Sequence, residues 1–256
     1  MSLANYSLEE LLNEAQRRIN CARAAWKGVI LVGPPGAAKK NKKKKPGKGS
    51  QAPKLKDEYC LCHISTGDAL RAAVAQGTEL GKKAKAIMEK GELVPDDLVN
   101  GIVGEAIDSP QCAKGFILDG YPRTVSQAQS LEKLLKEKKK NVNDVVQLDV
   151  PDSILEERIT GRRVHKASGR TYHTKFSPPK QKDKDDVTGE PLIQRPDDTA
   201  EVLKPRLGEY HKHTSPVLEF YKQKGLVRRV DANDKFDVVW ERIKSSMNTK
   251  KEPSSQ

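Results

Sequence analysis

The alternation of short apolar runs with longer amphipathic stretches constrains this chain more than any other feature. Five runs, at residues 29–32, 59–64, 116–118, 145–150 and 226–230, are each bounded by turn-forming residues. Runs of this length read as buried strands. Helical patterns lie between them, at residues 68–74, 97–107, 125–138, 154–163 and 201–223. Strands alternating with helices predict an α/β fold built on a doubly wound, parallel, five-stranded sheet. Sheets of this kind bind ligands at the carboxyl ends of their strands. The residues that follow each strand are therefore the first place to look for chemistry.

Two segments interrupt the alternation. Residues 65–94 form a mostly helical insert after the second strand. Residues 161–198 are rich in Arg, His, Pro, Gly and Asp, carry little helical signal, and read as a small lid. Ser7-Leu8-Glu9-Glu10 is a capping box that opens an amphipathic helix expected to run through Arg18. Beyond Met247 the chain is polar, and disorder is expected at 248–256.

The first strand is followed by Gly33-Pro34-Pro35-Gly36-Ala37, and then, after residues 38–46, by Gly47-Lys48-Gly49-Ser50. A phosphate loop needs glycines so that backbone N–H groups can turn in on an anion. It also needs a lysine for the terminal phosphates and a helix N-terminus behind it. Both flanks of such a loop are present, separated by nine residues that hold a run of six lysines. A chance Gly/Pro turn followed by a solvated lysine run is the plainer alternative. The third strand ends in Asp119-Gly120-Tyr121-Pro122-Arg123-Thr124, which puts a carboxylate and a guanidinium at a strand end. Taken alone, an ordinary turn would look the same. Arg158 and Arg162 stand four apart in a helical pattern and are expected to share one face, where an anion would relieve their repulsion.

Taken together and in this order, these motifs identify a resemblance to the adenylate kinases of the long-lid form. It runs from about Val29 to Arg242. It rests on the two loop halves, on Ser65-Thr66-Gly67-Asp68 with Leu70-Arg71, and on 119–124 with Gln127. It continues through 158–163, 168–173 and 185–190, and ends with Arg195, Asp197-Asp198 and Arg206. The resemblance implies a P-loop kinase fold and the reaction ATP + AMP = 2 ADP, with Mg²⁺ accompanying ATP. It implies that Thr66, Arg71, Glu92, Leu93, Val94, Gly120, Arg123 and Gln127 hold AMP. Gly33, Gly36, Gly47, Lys48, Gly49, Ser50, Arg162, Thr171 and Tyr172 would hold ATP. Lys48, Arg123, Arg158, Arg162, Arg195 and Arg206 would surround the transferring phosphoryl group, and Asp119 would orient the Mg²⁺ waters. The implied layout is a core at 1–64, an AMP-binding part at 65–94, core at 95–160, a lid at 161–198 and core again at 199–247. Some lids of the family hold zinc on cysteine-type ligands. Here His165, Ser168, Asp185 and Thr188 occupy those places, so a hydrogen-bonded lid without zinc is expected.

Phosphoryl transfer suits this residue set, because it is catalysed by positioning and charge neutralisation more than by covalent help. The interrupted loop is the main departure from the family. Lengthening a loop costs little stability, about 0.6 kcal/mol per doubling, but misplacing reacting groups by about 1 Å can cost about 10²-fold in rate. Two alternatives follow. One is a catalytically impaired nucleotide-binding relative whose lysines contact polyanions. The other is a kinase for a different nucleoside monophosphate. The formal charge of +12 is half accounted for by Lys39, Lys40 and Lys42 to Lys45, so it does not describe a nucleic-acid-binding face. No apolar run is long enough to cross a bilayer, and Glu9, Glu10 and Glu14 argue against a transit peptide. A cytoplasmic monomer is expected, with the mitochondrial intermembrane space as the alternative compartment. Cys21, Cys60, Cys62 and Cys112 lack a CxxC pair, and Cys60 and Cys62 are expected on one side of a strand, all four reduced.

Overall fold

The computed structural model describes residues 7–36 and 48–248. Five strands form a wholly parallel sheet: β1 (Lys27–Val32), β2 (Cys62–Ser65), β3 (Gly115–Asp119), β4 (Asp144–Asp149) and β8 (Val227–Asp231), in the order β2-β3-β1-β4-β8. The apolar runs are strands because the sheet is covered on both sides. In β1, Ile30 and Val32 pack into one core cluster while Val29 and Leu31 pack into the other. Phe116 and Leu118 of β3 likewise face away from Ile117. Each such side chain, taken fully out of water, contributes about 1.5–3 kcal/mol.

Helices α5 (Asp96–Asp108) and α6 (Val125–Glu137) cover the first face. Helices α2 (Lys48–Tyr59) and α10 (Phe236–Asn248) cover the second. Between β2 and α5 the chain inserts α3 (Thr66–Gln76) and α4 (Glu79–Lys90). Ser65 and Thr78 cap their N-termini through side-chain oxygens, and Gly77 and Gly91 end them in the left-handed region at φ 67° and 78°. These two helices meet closely, since a Cβ on Gly81 would lie 2.1 Å from the Ala73 carbonyl oxygen. After α7 (Leu155–Thr160) comes a second sheet, antiparallel in the order β6-β5-β7, made of β5 (Arg162–His165), β6 (Thr171–His173) and β7 (Leu192–Ile193). The chain then returns to the core through α8 (Ala200–Glu209) and α9 (Ser215–Lys222).

Several boundaries differ from the sequence reading. The N-terminal helix α1 spans Leu8–Arg23, one turn beyond Arg18. The run at 59–64 is divided: Tyr59 ends α2, Cys60 sits at φ 60°, and the strand begins at Cys62. Apolar periodicity cannot separate a buried helix end from a strand start. The helix expected over 154–163 stops at Thr160. Arg162 opens β5 and pairs with His173, so Arg158 and Arg162 do not share a helical face. The helix expected over 201–223 is broken by a π turn at Tyr210–Thr214. The four cysteines are not reduced: Cys21 pairs with Cys60 and Cys62 with Cys112. Cys60 lies outside the strand, so it and Cys62 do not share a strand side as expected. α10 runs to Asn248, and the rest of the expected disordered tail, like the expected insert at 38–46, lies outside the described residues.

Candidate active site

The site lies beyond the carboxyl ends of β1 and β3, which are neighbours, with Leu31 in register with Asp119. Gly33 and Gly36 follow β1, and Gly36 takes φ 81° against α7, where a side chain would meet Ile159 and the Leu155 carbonyl. Lys48, Gly49 and Ser50 open α2, whose N-terminus carries partial positive charge. Gly47 lies outside the described residues. Asp119 ends β3 with its carboxylate 3.8 Å from His63 Nε2.

The turn after β3 is tied in place from several sides. Thr66, almost fully buried, donates to the Gly120 carbonyl at 2.9 Å. Arg123 Nε donates to the same carbonyl at 2.8 Å, and the Arg123 N–H donates to Gln127 Oε1 at 2.7 Å. Gln127 Nε2 is held by Asp96 at 2.7 Å, a partner that the sequence reading did not single out. Thr66, Arg71, Glu92, Leu93, Val94, Gly120, Arg123 and Gln127 line one cleft between the α3–α4 insert and the sheet.

Arginines converge on this cleft, and aspartates hold them. Arg71 bonds Asp68 at 2.6 Å and lies 3.7 Å from Asp197. Arg206 bonds Asp197 at 2.9 Å. Arg162 makes a two-pronged pair with Asp198, one bond at 2.7 Å, and Asp198 is fully buried. Arg195, at the end of the antiparallel sheet, reaches across to Asp68 on α3 at 3.0 Å. Four guanidiniums, of Arg71, Arg162, Arg195 and Arg206, thus share three carboxylates. Arg158 stands apart. It is buried, bonds Asn233 at 3.1 Å, and its Nη1 has no hydrogen-bond partner.

The electrostatics are those of an anion receptor. Burial, with Arg206 nearby, pushes Arg123 down to about 10. Burial, with Arg162 and Arg71 nearby, does the same to Arg195, and burial alone does it to Arg158, each to about 10. Burial also lowers Arg206. Arg162 is raised instead, because Asp198 outweighs burial. Burial works against the Asp68 and Asp197 carboxylates, yet the arginines around them hold both below the usual range. Groups that lose charge stability through burial and like-charged neighbours mark functional sites. A polyanion entering the cleft would relieve Arg123, Arg195 and Arg206 at once.

The remaining expected residues sit in the antiparallel sheet. Tyr172 is buried and gives its hydroxyl to Asp185 at 2.8 Å, so its backbone is what it can offer a ligand. Thr171 donates to the Gly169 carbonyl. His165, Ser168, Asp185 and Thr188 are joined by hydrogen bonds: His165 Nδ1 to Ser168 at 2.7 Å, Thr188 to Asp185 at 3.1 Å and to His165 at 3.4 Å. Arg170 forks onto Asp185, and Glu190 meets His165 Nε2. The aspartates at 68, 197 and 198 stood in the quoted motifs, but only the folded chain shows them latching the arginines.

A profile of the adenylate kinase family matches residues 31–226. Over 223 residues the chain is 59% identical to adenylate kinase 4 of Oryza sativa subsp. japonica, covering 87% of this chain and 88% of that protein. Over 239 residues it is 52% identical to adenylate kinase 4 of Arabidopsis thaliana, covering 93% and 94%. An adenylate kinase of Laccaria bicolor is 47% identical over 256 aligned positions, 95% and 96% of the two chains.

Proposed function

The chain belongs to the adenylate kinase family and transfers a phosphoryl group reversibly between ATP and AMP to give two ADP, and from that premise we propose how its residues divide the work. The similarities support this activity and neither the impaired binder nor a kinase for another monophosphate. The observation that carries the assignment of roles is the arginine cluster, latched by acids between the α3–α4 insert, the β3 turn and the antiparallel sheet.

AMP occupies the cleft lined by Thr66, Arg71, Glu92, Leu93, Val94, Gly120 and Gln127, with its phosphate on Arg71 and Arg123. ATP lies along Gly33, Gly36, Gly47, Lys48, Gly49 and Ser50, under Arg162 and the backbone of Thr171 and Tyr172. Lys48, Arg123, Arg158, Arg162, Arg195 and Arg206 neutralise the charge that spreads over the transferring phosphoryl group. As phosphates arrive, the arginines exchange aspartate for phosphate, so the ligand-free ion pairs keep the cations aimed without a bound anion. The unpartnered Nη1 of Arg158 fits the same scheme, since a buried donor left unpaired costs about 1–3 kcal/mol until a ligand meets it.

Magnesium fits as a companion of ATP. Asp119 offers a single carboxylate at a strand end, and no cluster of three metal-binding side chains occurs among the described residues. Mg²⁺ is commonly held by one or two carboxylates with substrate phosphates supplying the rest. Asp119 would orient its waters. Residues 65–94 act as the AMP flap and 161–198 as the lid, closing to exclude water that would compete with AMP. The core takes 1–64, 95–160 and 199–247. The lid works without zinc, with His165, Ser168, Asp185 and Thr188 serving as hydrogen-bond partners. The protein acts as a monomer without nucleic acid. Among the described residues no helix is long and apolar enough to cross a membrane. Disulfides persist where thiols are not kept reduced. The two pairs favour the mitochondrial intermembrane space over the cytoplasm expected from sequence.

A coupled assay of ADP formation from ATP and AMP, repeated with other monophosphates, tests the reading. Equal or better use of another monophosphate would remove AMP from its place.

A further inference from the structure

Pro216 lies in what would otherwise be one long helix from α8 into α9. It has no N–H to donate, and its ring would collide with the carbonyl of Lys212, four residues back. The chain opens instead. The Ser215 N–H bonds the Tyr210 carbonyl, five residues back, and Ser215 Oγ approaches that carbonyl at 3.5 Å. A π turn inserts an extra residue and rotates everything after it relative to α8. Such turns recur at functional sites.

The rotation has one specific result. Thr214, 7% exposed, turns its hydroxyl onto the main chain of Arg123 and donates to that carbonyl at 3.1 Å. The peptide of Arg123 is then gripped at both ends. Its N–H goes to Gln127, its C=O takes Thr214, and its side-chain Nε goes to the Gly120 carbonyl. The two Nη groups are left to point into the site. Arg206 sits on α8 one turn before the π turn. The break therefore also sets the spacing between Arg206 and Arg123, which come from distant parts of the chain. Any buried hydroxyl needs a partner; what is specific here is that the partner, 91 residues away, is the main chain of Arg123.

We infer that Thr214 is a positioning residue for phosphoryl transfer, which the π turn at Tyr210–Thr214 holds against the main chain of Arg123 so that its guanidinium meets the transferring group. The inference rests on the role given to Arg123 above. Thr214 touches no substrate; it acts through Arg123. Displacements well under 1 Å matter at this step, because about 1 Å can cost about 10²-fold.

The experiment is steady-state kinetics on the full chain with Thr214→Val, which keeps shape and removes the hydroxyl, Thr214→Ser, which keeps the hydroxyl, and Arg123→Met in parallel. Thr214→Val is expected to lower kcat about tenfold while the KM values for ATP and AMP stay within about twofold, the signature of an interaction felt mainly in the transition state. Thr214→Ser is expected to regain most of the loss. A Thr214→Val enzyme with wild-type kcat, or a Thr214→Ser enzyme as impaired as Thr214→Val, overturns the inference. If Arg123→Met turns over normally, the reading of Arg123 itself falls. If Arg123→Met is inactive and Thr214→Val is fully active, only the role of Thr214 falls. Should Thr214→Val fail to fold, Pro216→Ala poses the same question by letting the α-helical register return. The same loss of kcat at unchanged KM then supports the inference, and wild-type kcat overturns it.

Discussion

Replacing Arg123 by Met should make the empty protein more stable and the enzyme almost inactive. The guanidinium sits in a buried place beside Arg206 and Arg71, and this pushes it from 12.5 down to about 10. At 1.36 kcal/mol per pH unit, that displacement corresponds to on the order of 3 kcal/mol of unfavourable charge in the ligand-free fold. Arg123 is protonated at neutral pH in both the folded and unfolded chain, so the whole penalty is present there. Met fills much of the same space without the charge. It leaves the Gly120 carbonyl without its bond from Nε, although Thr66 still donates to it; the lost bond costs about 1 kcal/mol. A net gain of about 1–2 kcal/mol is expected, which in a chain of this size raises Tm by about 2–8 °C. Turnover should fall about 10²–10³-fold, the loss seen when a preorganised charge-stabilising donor is removed. Calorimetry without nucleotide and a coupled ADP assay read the two effects. A lower Tm together with retained turnover would refute the reasoning, because the charge would then be satisfied in the empty protein and idle in the reaction.

Other outcomes test other parts of the structure. Asp68→Asn removes the bond from Arg195 across the cleft, so energy transfer between labels on α4 and β7 should report a longer distance without nucleotide and an unchanged one with both nucleotides; an unchanged ligand-free distance would show that the latch holds nothing. Chelation should leave Tm where it is, whereas Asp185→Asn should lower it. Bonding from Arg170 holds the Asp185 carboxyl well below the usual carboxylate range, so its contribution is whole above the ordinary carboxylate pKa and is lost as pH falls below that toward its own; metal-dependent melting would contradict this. Protein unfolded without reductant should show no free thiol, since Cys21 pairs with Cys60 and Cys62 with Cys112; a full thiol titre would remove both bonds. Deleting residues 38–46 should raise turnover and leave Tm nearly unchanged, as a shorter loop closes slightly more easily; equal turnover would show that these residues already leave the cradle undisturbed.

The order of elements was legible in the chain because burial on both faces of a parallel sheet leaves apolar runs that turn residues punctuate. Val29, Ile30, Leu31 and Val32 could hardly have been anything but a central strand. The motifs at 33–36, 65–71 and 119–127 were legible for a different reason. Each was ambiguous alone, and together, in their order and spacing, they carried the resemblance to a known family. What the sequence did not carry were the pairings between distant residues. Nothing near Arg195 announces Asp68, and nothing near Arg158 announces Asn233, because an ion pair or hydrogen bond across 127 or 75 residues depends on how the elements pack. The same holds for the end of α7 at Thr160, where pairing of Arg162 with His173 overrode a helical pattern. It holds for the cysteines, whose partners lie 39 and 50 residues away. At Thr214 the two sources meet. Pro216 dictates locally that the helix must open, but only the placing of the π turn beside the residues after β3 decides that the opening delivers a hydroxyl to Arg123.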